Sequence, residues 1–174
     1  MQIDLNWKTR GTWLALSLLV LMAETTTVHG QKAIFLLRHA ERVEYASPDG
    51  LLSEAGQARA QVLARVLKDA GVSAIYTTER KRTVHTAEPL TKALGIPPIA
   101  VDSSSPVQVT LDLIRTRNKD GIVAIVGHSN TVPAFLRALG HHGDVAIGER
   151  EHDDLFVIVG GTGGGPPTVL RLNY

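Results

Sequence analysis

An uninterrupted apolar run near the middle of the chain constrains the fold most strongly. The run covers Ile122-Val123-Ala124-Ile125-Val126 and ends at Gly127-His128. A strand with one solvated face alternates apolar and polar residues, whereas a strand covered on both faces is apolar throughout. The run therefore predicts a central strand of a parallel sheet, with helices packed on both faces.

A second apolar run ends abruptly in charged residues and an imidazole. It covers Ile34 to Leu37 and is followed by Arg38, His39 and, two positions on, Glu41. In open α/β sheets, ligands bind beyond the carboxyl ends of the strands. We therefore interpret Arg38 and His39 as site residues at a strand end. The alternative is a strand that simply enters a solvated turn.

Strand-like and helix-like segments alternate along the rest of the chain. The alternation predicts a three-layer α/β/α sandwich, with a mainly parallel sheet and an antiparallel strand near the C-terminus. A Gly-rich link, residues 160–167, joins the two closing strands and indicates a hairpin. The predicted strands are 34–37, 72–78, 97–101, 122–126, 155–159 and 168–172. The predicted helices begin after Ser53 as N-cap and near Thr83, Pro106 and Pro133, and the second of them ends at Gly95.

The N-terminal 30 residues differ from the rest of the chain. Lys8 and Arg10 precede an apolar stretch, residues 11–23, and a short polar segment leads to Gly30. This order is typical of a secretory signal peptide. The stretch is shorter than the ~20 residues of a spanning helix, although an uncleaved anchor is the alternative. We expect a domain at 31–174 that is periplasmic or secreted and meets the membrane only through the signal segment.

Composition excludes several classes of function. The chain has no cysteine, so a disulfide framework, a cysteine nucleophile and a thiolate metal site are all excluded. The formal net charge is +1, and no basic run interleaved with aromatic residues is present. We therefore expect no nucleic-acid partner.

Parallel strands bring their carboxyl ends to one edge of the sheet, and the residues that follow these strands form a chemically coherent set. It combines two imidazoles, two guanidiniums, hydroxyls and the N-terminus of the helix after His128. Guanidinium groups and helix N-termini suit a phosphate dianion, and a neutral imidazole can attack phosphorus as a nucleophile. The set comprises Arg38, His39, Thr78, Arg82 and His128.

Four sequence blocks carry a resemblance to a known family. The blocks are Leu37-Arg38-His39-Ala40-Glu41, residues 52–58, residues 75–78 with Arg82 and Thr86-Ala87, and Val126-Gly127-His128-Ser129. In this order, over about residues 33–160, they resemble the histidine phosphatase superfamily, whose members have a phosphoglycerate-mutase-like fold.

The resemblance implies a metal-independent phosphomonoester hydrolase. His39 would carry a transient phosphoryl group, which Arg38, Arg82 and His128 would hold. The hydroxyls of Ser53, Thr78 and Ser129 would bind the phosphorylated substrate, and no metal or other cofactor would be required. The substrate itself is not readable from the sequence.

The chain departs from the family pattern in three places: Ser53 stands where a Thr is usual, His85 stands where many members carry Gln or Glu, and one segment is missing. It lacks the longer segment that supplies the acid of the mutases, so Glu41 and Asp102 are both candidates for the general acid. His85 lies one helical turn from Arg82, so it is a further candidate for the site.

Other interpretations of the sequence stay open. His141, His142 and His152, with Asp153 and Asp154, are a possible metal cluster, although adjacent residues in a polar loop rarely converge on one ion. A catalytically silent module that binds a phosphate ligand is one alternative function. A phosphoglycerate-type mutase is another.

Overall fold

The computed structural model describes residues 32–43, 49–160 and 166–174. The predicted signal peptide and most of the Gly-rich link therefore lie outside the described residues. Within these ranges, no helix has both the length and the hydropathy needed to cross a membrane. The strands are β1 (Ala33–Arg38), β2 (Val72–Thr78), β3 (Ile99–Val101), β4 (Ile122–Gly127), β5 (Asp154–Val159) and β6 (Thr168–Asn173). The helices are α1 (Glu54–Leu67), α2 (Lys81–Leu94), α3 (Val107–Arg117) and α4 (Thr131–Ala138).

One mixed sheet has the strand order β3-β2-β4-β1-β5-β6. The first four strands in this order are parallel, and β4 lies between β2 and β1, as its apolar sequence predicts. β5 runs antiparallel to β1, and β6 pairs antiparallel with β5. The prediction of a mainly parallel sheet with antiparallel pairing near the C-terminus is confirmed.

Alternate residues of the central strands bury opposite faces of the sheet. On β1, Leu36 packs into a cluster with Leu111 of α3 and Leu136 of α4. The next residue, Leu37, packs into a second cluster with Leu63 of α1 and Leu90 of α2. Because successive side chains of a strand point to opposite faces, the sheet separates two helical layers, and the predicted three-layer sandwich is confirmed.

The register of β1 and β4 places the two predicted histidines next to each other. Leu37 pairs with Val126 and Arg38 with Gly127, so His39 and His128 follow at the same edge of the sheet. The His39 backbone N–H donates to the Gly127 carbonyl at 2.9 Å, which extends the pairing by one residue. The parallel register thus sets the separation of the two imidazoles before any side-chain contact is formed.

Helix α1 is held against the segment that follows β1. The Ser53 hydroxyl accepts a hydrogen bond from the Gly56 backbone N–H at 3.1 Å, which is the predicted N-cap. At Gly56, a Cβ atom would overlap the carbonyl oxygen of Glu41. Only glycine therefore allows this close approach, which supports the backbone immediately after His39.

Helix α2 begins two residues earlier than the predicted Thr83 and continues through Pro89 without a break. It ends at the predicted Gly95, whose φ of 67° is the left-handed conformation common at helix C-termini. Its early start places Arg82 in the first turn of α2, directly after β2.

Candidate active site

The structure brings Arg38, His39, Arg82 and His128 to one cavity of about 1130 Å³ at the carboxyl edge of the parallel strands. The ring centroids of His39 and His128 are 5.5 Å apart. The Arg82 Nη2 atom lies 3.2 Å from His128 Nδ1. Residues up to 90 positions apart in the chain therefore form one cluster of two imidazoles and two guanidiniums.

His39 is held in the neutral form. Its Nδ1 atom lies 2.8 Å from the Ala40 carbonyl oxygen. A carbonyl oxygen only accepts hydrogen bonds, so Nδ1 donates the proton and the lone pair of the neutral ring resides on Nε2. Burial lowers the pKa of His39 to about 3, and the charges of Arg82 and Arg38 act in the same direction. At neutral pH the ring can therefore use Nε2 to form a new bond.

His128 is oriented by two hydrogen-bond partners, one that donates to its ring and one that accepts from it. Arg82 can only donate, so His128 Nδ1 accepts, and the Nε2–H group donates to the Thr78 hydroxyl at 3.1 Å. Burial and the charge of Arg82 lower the pKa of His128 to about 4. Thr78 is itself buried and lies 2.9 Å from the Thr83 hydroxyl. This network fixes the ring plane of His128 beside His39.

Arg38 is anchored by the loop that precedes β5. Its Nη1 group donates to the carbonyl oxygens of Gly148 at 2.7 Å, Glu149 at 2.9 Å and Glu151 at 3.1 Å. Burial lowers the pKa of Arg38, and the neighbouring cations Arg42 and Arg82 add to this effect. Because several guanidiniums stand close together, an anion bound between them would relieve their mutual repulsion.

The predicted hydroxyl ligands do not share one location. Ser129 lines the cavity, whereas Thr78 lies behind His128 and contacts its ring. Ser53 lies outside the cavity lining, and its hydroxyl caps α1. The structure thus gives Thr78 and Ser53 supporting positions, and it places only Ser129 where a ligand could reach it.

The two predicted acids are poorly suited to donate a proton. Partial burial alone would raise the pKa of Glu41, but hydrogen bonds from Arg59, the shortest 2.7 Å, outweigh it and hold this pKa low. Glu41 lines the cavity, but as an ionised carboxylate. Asp102 is exposed, lies outside the cavity lining, and has its pKa lowered by hydrogen bonds from Ser104.

His85 does not face the site, contrary to the prediction. It lines a separate cavity of about 400 Å³ together with Leu52, Gln57 and Pro89. Helical spacing brings Arg82 and His85 to adjacent turns, but the side chains reach different sides of α2. The sequence spacing was therefore an insufficient criterion.

Sequence reasoning missed the position of His152. The residue is buried, its Nδ1 lies 2.8 Å from the His39 carbonyl oxygen, and its ring centroid is 5.6 Å from that of His39. Since β5 runs antiparallel beside β1, its first residues lie at the edge where β1 ends. The predicted hairpin did not contain this signal, because it pairs the two closing strands with each other and does not place β5 beside β1.

The alternative metal cluster does not form. Among the described residues, no group of three or more histidine and acidic side chains is arranged to hold a metal ion. His152 turns toward His39 instead of joining His141 and His142.

Sequence and structural comparisons relate the chain to known proteins. The model of the histidine phosphatase superfamily (branch 1) matches residues 34–104, which include Arg38, His39 and Arg82. No curated protein sequence matches the chain. The resemblance to the histidine phosphatase superfamily is confirmed by this match together with the fold, and most members of that superfamily are phosphatases or mutases.

Solved structures share the fold at low sequence identity. A candidate phosphohistidine phosphatase, SixA from Agrobacterium tumefaciens, is 22% identical with a TM-score of 0.65, covering 82% of this chain and 99% of that one. The mycobacterial glucosyl-3-phosphoglycerate phosphatase Rv2419c is 13% identical with a TM-score of 0.63, covering 82% and 98%. A protein histidine phosphatase SixA, solved with tungstate, is 18% identical with a TM-score of 0.63, covering 81% and 96%.

We expect the rings of His39 and His128 to remain neutral throughout the range from pH 5 to pH 8. Their lowered pKa values, about 3 and about 4, place protonation well below the ordinary value near 6.5. The measurement is an NMR titration of the imidazole signals, assigned with the His39→Ala and His128→Ala variants. A midpoint close to pH 6.5 for either ring would show that burial does not control its charge.

Proposed function

We propose that this protein is a metal-independent phosphomonoester hydrolase that works through a phosphohistidine on His39. The observation that carries the proposal is the neutral His39 ring, with its lone pair on Nε2, in one cavity with the buried guanidinium of Arg38 and the half-buried guanidinium of Arg82. A nucleophile and the positive charge needed around a transferring phosphoryl group are thus present together.

In the first step, His39 Nε2 attacks phosphorus, the P–N bond forms, and the ester P–O bond breaks. In the second step, water attacks the phosphohistidine and the P–N bond breaks, which releases inorganic phosphate. Arg38 and Arg82 contact the equatorial oxygens, where charge accumulates in the transition state, and His128 orients the Arg82 guanidinium through its Nδ1 atom. The guanidiniums supply the charge stabilisation that a metal ion provides in other phosphatases.

The cavity also favours a particular kind of substrate. Its volume of about 1130 Å³ exceeds the space that one phosphoryl group fills, and Arg42, Arg80 and Arg150 line it in addition to the two arginines at the reacting centre. An organic phosphate with further anionic groups fits this lining better than a neutral ester. The names of the structural neighbours suggest phosphohistidine peptides and phosphorylated sugar acids for a substrate panel.

We expect the purified protein to hydrolyse 4-nitrophenyl phosphate in the presence of EDTA, and vanadate to inhibit it. Vanadate adopts the five-coordinate geometry of the transition state, so it should bind to the same groups. The phosphoenzyme is trapped by rapid acid-free quenching and mapped to His39 by mass spectrometry.

The result distinguishes this proposal from its alternatives. Phosphate binding without turnover would indicate a silent binding module. Transfer of the phosphoryl group to a second hydroxyl, with no release of phosphate, would indicate a mutase. Activity lost with EDTA and restored by zinc would contradict the metal-independent mechanism.

A further inference from the structure

The proposed reaction lacks a proton donor among the residues that the sequence suggested. The oxygen that leaves phosphorus carries an electron pair, and an alkoxide needs a proton to depart at neutral pH. Glu41 is ionised and held by Arg59, and Asp102 lies outside the cavity. A different group must therefore supply the proton if the substrate is an alkyl ester.

His152 has the position and the tautomer for this task. It lines the same cavity, and its Nδ1–H group donates to the His39 carbonyl at 2.8 Å. Its Nε2 atom has no hydrogen-bond partner among the residues that the structure describes, so this atom is available to a ligand. The ring is held beside the nucleophile by the backbone of the nucleophile itself.

Resting on the proposed function, we propose that His152 is the catalytic acid that protonates the leaving group. The P–N bond to His39 forms as the ester P–O bond breaks, and the leaving oxygen takes the proton from His152 Nε2. Neutral His152 then accepts a proton from the water that attacks the phosphohistidine, while the P–N bond breaks. The acid is thereby regenerated, and the products are the alcohol and inorganic phosphate.

The groups around His152 explain why its ring becomes protonated only when a substrate is bound. Burial lowers its pKa, and Arg38 of β1 and Arg59 of α1 act in the same direction, whereas the hydrogen bond to the His39 carbonyl and the charge of Glu41 oppose them. The net effect is a lowered pKa, so the surroundings favour the neutral ring in the free enzyme. A monoanionic phosphate ester brings both a proton and a negative charge, so the imidazolium form arises with substrate in the cavity.

The test compares two leaving groups in the His152→Gln variant. Glutamine can still donate a hydrogen bond to the His39 carbonyl, so the fold is preserved, but it cannot transfer a proton. We expect kcat/KM for benzyl phosphate, which has a basic alkoxide leaving group, to fall about 100-fold or more. For 4-nitrophenyl phosphate, whose leaving group departs without protonation, we expect a fall of less than about 10-fold.

Controls separate this inference from the function on which it rests. His142→Ala removes an exposed histidine outside the cavity lining, so it should leave both values unchanged. Equal losses on the two substrates would show that His152 only positions His39, and no loss on either would remove it from the reaction. Either of these two outcomes overturns the inference about His152. The proposed function still holds in both cases if the wild-type protein hydrolyses 4-nitrophenyl phosphate. A wild-type protein that hydrolyses neither ester overturns both.

Discussion

His39→Ala should reduce kcat for 4-nitrophenyl phosphate by on the order of 10³-fold or more, since removal of a covalent nucleophile has effects of this size or greater. The side chain supplies the lone pair of the proposed nucleophile in the cavity that Arg38 and His128 also line, and alanine removes it without introducing a new group. Steady-state kinetics on the purified variant measure the loss. Circular dichroism and phosphate binding confirm that the fold and the anion site persist.

A matched histidine variant controls for nonspecific effects. His142→Ala changes the same residue type at an exposed position and should keep the wild-type rate. If His39→Ala retains more than a few per cent of kcat, a direct attack of water on the substrate replaces the phosphohistidine route. His128 and the two arginines would then be the principal catalytic groups.

Arg82→Lys should lower kcat/KM by about 10- to 100-fold, although the formal charge is conserved. Arg82 donates from Nη2 to His128 Nδ1 at 3.2 Å and lines the cavity with the same guanidinium. The planar guanidinium of arginine can donate to a ring nitrogen and to a phosphoryl oxygen at the same time. The ammonium of lysine is one compact charge at the end of a flexible side chain. The lost charge-assisted hydrogen bond is worth about 1.5–3 kcal/mol, which converts to that range of rates.

Two variants on nearby or exposed helical positions test the specificity of this effect. His85→Ala alters the same helix but lines the other cavity, so we expect wild-type kinetics. Arg115→Lys makes the same chemical change on the exposed surface of α3, where the side chain pairs only with Asp112 among the described residues. We expect wild-type kinetics for this variant as well. If Arg82→Lys keeps the wild-type kcat/KM, Arg82 does not contact the transferring phosphoryl group.

Local sequence patterns were sufficient for much of the fold. Apolar runs identified β1 and β4 because strands buried on both faces must be apolar throughout. Ser53 and Gly95 marked helix ends because a side-chain acceptor and a left-handed residue satisfy backbone groups that the helix leaves unpaired. These signals act over a few residues, so no knowledge of the packing was required.

The candidate site was predictable where it followed from strand ends. His39 and His128 each come directly after a strand, and parallel pairing of β1 with β4 brings such positions together. Arg82 follows β2 in the same manner. Prediction became unreliable for side chains on helix faces and in loops, where rotation about an axis or the path of a loop decides which cavity a residue reaches.

By itself, then, the sequence determined the alternation of strands and helices, the edge of the sheet that carries the site, and its central histidines and arginines. Only the tertiary structure decided which side chains of that site are ionised and which could donate a proton. It paired Glu41 with Arg59, turned His85 toward another cavity, and brought His152 from a polar loop to within 5.6 Å of the His39 ring. The physical reason is that pKa values and hydrogen-bond partners depend on contacts between residues far apart in the chain, and the antiparallel pairing of β5 with β1 creates such a contact over 113 positions.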